Sequence, residues 1–108
     1  MADNRHRISL RAIDPERYAD DWADIARERS WGDSLAIQDA SLRGVRDFQM
    51  ARVTRCVKDW SLPGHPSNEA DVENANEHVM RFLVEEMEAF YNAQREEIEA
   101  RRKASGAS

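Results

Sequence analysis

The spacing of apolar residues changes along this chain, and each spacing predicts an element. In residues 1 to 13, Ile8, Leu10 and Ala12 fall on one side and Ser9 and Arg11 on the other, the period of two of a short strand. Residues 14 to 30 admit two readings. Asp14 and Pro15 suit an N-cap and first helical position, with Tyr18, Trp22, Ile25 and Arg29 following at helical spacing. The run WADIA equally suits a strand pairing back on Ile8 to Ala12.

From Ser30 the pattern is helical. Ser30 and Asp33 stand as N-cap and N3 of a capping box with a short acid. Trp31, Leu35, Leu42 and, at its edge, Val45 form one stripe with Gln38 between them, and Trp31 is expected in the core. Gly44 weakens the end of this helix. Asp47 can cap a second one, with Met50, Val53, Cys56, Val57 and Trp60 on one face and Arg52, Arg55 and Lys58 away from it.

The stretch Pro63 to Pro66 cannot continue a helix, because proline removes an amide donor and pushes its predecessor out of the helical region. Ser67 is expected to cap a short acidic turn through Val72. Asn74 or Asn76 then caps the longest helix, Glu77 to Arg102, with a stripe of Val79, Met80, Leu83, Met87, Phe90, Tyr91 and Ile98 and with Gln94 inside it. The fold class expected is mainly α: a short N-terminal β-hairpin packed on about three helices, the C-terminal one longest. It forms a single domain over residues 1 to 104, with residues 105 to 108 a frayed polar tail.

Composition narrows the function. The chain has 108 residues, enough for one modest core, and 34% of them are charged, with a mean hydropathy of −0.82. Its 21 acidic and 16 basic residues give a net charge of −5, which disfavours non-specific binding to nucleic acid or to an anionic membrane. Apolar runs fall far short of the ~20 residues needed to span a bilayer, and no signal peptide is visible. Cys56 is the only cysteine, which fits a reducing cytosol.

Candidate chemistry is thin. Cys56, His65 and His78 lack the paired spacing of a zinc site, and Cys56 lies on an apolar helix face, so a small buried thiol is expected rather than a ligand or nucleophile. Asp20, Asp21, Asp24, Glu85, Glu86 and Glu88 sit among basic residues on faces expected to be wet. No glycine-rich phosphate loop, nucleophile elbow or zinc-protease motif occurs. The expectation is a non-enzyme without cofactor or metal.

Phe48 and Phe82 fall off their helices' main stripes, as contacts or as second packing faces. The long helix carries the partner-binding expectation. At ~25 residues it is ~38 Å long and outreaches a core built from two shorter helices. Its stripe is rich in methionine and aromatics, which suits adaptable binding. Met87, Tyr91 and Ile98 are therefore expected to bind a partner or a second copy.

The segments DDWADIARERSWGDSLAIQDASL and FQMARVTRCVKDWSLPG carry a resemblance through Trp22, Ile25, Ser30, Trp31, Gly32, Asp33, Val57, Trp60, Ser61, Leu62 and Pro63. They resemble small tail-module proteins of siphophages and their prophages, described as tail assembly chaperones or minor tail proteins. The likeness covers residues 20 to 66, more loosely the last helix, and its motif is fold-defining rather than catalytic. The loop SLPGHPSN is more compact than such relatives show. The resemblance implies that WADIA is a strand. It also implies a helper of tail morphogenesis in the host cytoplasm, binding other tail proteins such as the tape measure protein. A structural component of the virion tail is the alternative, and a small cellular protein-binding module the third reading.

Overall fold

A computed structural model of the chain describes residues 4 to 106. Strand β1 (Arg5–Ser9) pairs antiparallel with β2 (Trp22–Ala26), Ile8 opposite Ala23 and His6 opposite Ile25. The expected strand WADIA is therefore present. Between them Asp14 starts only a single turn: its carboxylate accepts from the amides of Glu16 and Arg17, and Tyr18 N–H donates to its carbonyl. The helical spacing after Pro15 yields to strand pairing because Ala23 and Ile25 are wanted on the core face of the sheet.

Helix α1 (Trp31–Ser41) begins at Ser30, whose hydroxyl accepts from Asp33 N–H as the capping pattern requires. Helix α2 (Val45–Cys56) follows after Gly44, whose φ of 128° makes the corner between them. Asp47, expected as its cap, sits instead in the first turn, where its charge suits the helix dipole.

Helix α2 stops at Cys56, and Val57–Trp60 form strand β3 on the far side of β2, giving the sheet order β1-β2-β3. The sequence pattern placed Val57 and Trp60 on a helix because they are three apart. The sheet accommodates that spacing with a bulge: Asp59 lies opposite Asp24 but Val57 lies opposite Ile25, leaving Lys58 as the extra residue. Val57 and Trp60 both point into the core as a result.

The turn after β3 is built around Trp60, whose indole N–H donates to Gly64 O at 3.0 Å. Gly64 has φ 81°, and a Cβ there would lie 2.5 Å from the Asp71 carboxyl carbon. That carboxylate accepts from His65 N–H at 2.9 Å. Helix α3 (Glu69–Glu73) is capped by Asn68 rather than Ser67, which is held instead by the His65 ring at 2.7 Å. Asn76 caps α4 (Glu77–Ala104), accepting from His78 and Val79 N–H. Of the tail expected to fray, Ser105 and Gly106 close the end of α4 and the rest lies outside the described residues.

Helix α4 lays Val79, Leu83, Met87 and Tyr91 into one core with Ile8, Leu10, Ala23, Ile25, Val57 and Trp60 of the sheet segment and Val53 and Cys56 of α2. His6 stacks on Phe90 with ring centroids 4.0 Å apart, and Phe48 and Phe82 are half-buried against the same core. On the outer sheet face Arg7 grips Asp24 with two hydrogen bonds, of 2.8 and 3.1 Å, while its guanidinium covers the Trp22 ring.

Gly64→Ala tests the turn. With both a positive φ and the Asp71 carboxyl in the way, it should cost roughly 1–3 kcal/mol in urea denaturation. An unchanged midpoint would contradict this packing.

Candidate protein-binding surfaces

The opening question for chemistry is Cys56, and its surroundings answer it. The thiol is fully buried where α2 meets Arg29, Tyr91 and Glu88. Glu88 on α4 accepts from Arg29 at 2.6 Å and from Arg52 at 3.2 Å, and the Arg29 guanidinium lies 4.3 Å from the Tyr91 ring centre. Burial pushes the Cys56 thiol up, only partly opposed by Arg29. Burial pushes the Tyr91 phenol up as well. Burial also works against the Arg29 charge, but Cys56 and Glu88 more than restore it. A protonated, enclosed thiol is a poor nucleophile and a poor ligand. His65 is engaged within its own loop. Among the described residues no group of three or more His, Cys, Asp or Glu is placed to hold a metal ion.

Three of the candidate acids are likewise engaged in structure, and Asp24, expected on a wet face, is buried. Asp24 pairs with Arg7, Asp21 accepts from Ser61 Oγ at 2.8 Å, and Glu88 ties together two arginines. No helix is long and apolar enough to cross a membrane among the described residues.

The expected partner surface on α4 needs correction. Met87 and Tyr91 are inside the domain's own core, and Tyr91 OH donates to the carbonyl of Ala26 at 2.6 Å. Sequence reasoning allowed for too little core: a third strand supplies the apolar surface that α4 was thought to lack. Ile98 alone of the three is exposed, at 54%. Past Tyr91 the helix has Ile98 as its one large apolar residue and is supported by ion pairs of Arg101 with Glu97 and Arg102 with Glu99.

Two apolar surfaces remain. The first is the stripe expected in the core. Trp31 (77% exposed), Leu35 (45%), Leu42 (84%) and Val45 (77%) face outward, because α1 buries its other face through Ile37 and Ala40. Both faces of α1 carry apolar residues, so periodicity finds the stripe without showing which face turns in. Burial of Ile37 and Ala40 against the rest of the chain makes the choice, and Asp33 pairs with Arg55 on α2 beside it.

The second is a groove of about 820 Å³ between α2 and α4. Half-buried Met50, Met80, Val84 and Ala75 form its floor with Val53 and Val72, and the pairs Arg46–Glu73 and Arg52–Glu88 cross its rim. Methionine on such a floor can re-pack around an apolar guest. The sequence signal was there in Met50 and Met80, assigned to core stripes.

The thiol and phenol give a pH prediction. Each binds its proton more tightly folded than unfolded, so unfolding releases protons above about pH 8.5 and stability should fall as pH rises from there. Urea melts at rising pH should show that fall, and the pair Cys56→Ala and Tyr91→Phe should flatten it. An equal slope in the double variant would contradict the assignment.

Comparison of the chain with protein-family models, with curated proteins and with solved structures finds no match.

Proposed function

We propose that this is a non-enzymatic tail-morphogenesis protein of a phage or prophage, chaperone-like in action, which binds an apolar helical segment of another tail protein. The tape measure protein is the candidate client. The observation that carries the binding part of this reading is the methionine-floored groove between α2 and α4, open to solvent and crossed at its rim by the ion pairs Arg46–Glu73 and Arg52–Glu88. A guest helix would cover Met50, Met80 and Val84 between those ion pairs.

The tail assignment draws its support from the resemblance of residues 20 to 66. Most of those motif residues serve the fold. Ile25, Val57 and Trp60 fill the core, and Ser30 caps α1. Ser61 accepts from Trp22 N–H at 2.8 Å and so locks the end of β3 to β2. Trp31 is an exception, since it stands 77% exposed.

Co-expression with the tape measure protein from the same genome tests the reading. The wild-type chain should co-purify with it, and Met80→Asp with Val84→Asp should weaken capture about tenfold or more while cooperative melting persists. Absence of wild-type capture, or capture indifferent to the groove, would reject the proposal. Presence of the chain in purified particles would move the assignment to a structural tail component.

A further inference from the structure

We draw no further inference here: the strongest candidate, the exposed apolar patch of Trp31, Leu35, Leu42 and Val45 along the outer face of α1, carries none because nothing in the structure shows what covers it.

Discussion

The fold depends on one contact, the apolar face of α4 laid over the three-stranded sheet. Val79, Leu83, Met87 and Tyr91 recur every four residues and meet side chains that the strand period of two lines up from β1 and β2. Two polar ties fix the helix along its length: Tyr91 OH holds the Ala26 carbonyl, and Gln94 donates to the carbonyl of Arg27 at 2.7 Å. Both donate to carbonyls at or just past the end of β2, where the sheet's own ladder runs out. A buried phenol needs such a partner, and a strand end needs a donor. Helix α4 satisfies both with one residue.

This contact also decides what the rest of the chain can cover. Once α4 occupies the sheet, α2 buries fully only Val53 and Cys56 near its C-terminal end, while Phe48, Met50 and Ala51 are half-buried against the core and Arg52 pairs with Glu88. The methionine-floored groove opens between α2 and α4 above those half-buried side chains. Helix α1 packs on α2 from outside, a layer further from the sheet, so one of its faces has nothing to bury against. The two open apolar surfaces are thus consequences of a small chain spending its longest helix on a single sheet.

Much of this was legible in the sequence. Local chemistry wrote the helix start at Ser30 and narrowed the last one to Asn74 or Asn76, because each rests on a side chain meeting a nearby amide. The prolines ended the segment after Trp60, though as a strand and not as the helix expected. The apolar stripe of α4 was legible too, since it keeps helical spacing, but not that the stripe is core as far as Tyr91. What failed depended on distant partners. The bulge at Lys58 lets a strand carry apolar residues three apart, and only the register against β2 reveals it. The outward turn of Trp31 follows from Ile37 and Ala40 finding α2, a contact that α1 alone does not encode. Reading β3 as helix left the core too small on paper, and Met87 and Tyr91 were assigned to a surface as a consequence.

Amide hydrogen exchange along α4 tests the central contact most directly. The account predicts that residues 79 to 91 exchange as slowly as β2, with the free energy of global unfolding, while residues 95 to 104 open early. Early exchange of residues 79 to 91 while β2 stays protected, or equal protection along the whole helix, would contradict it.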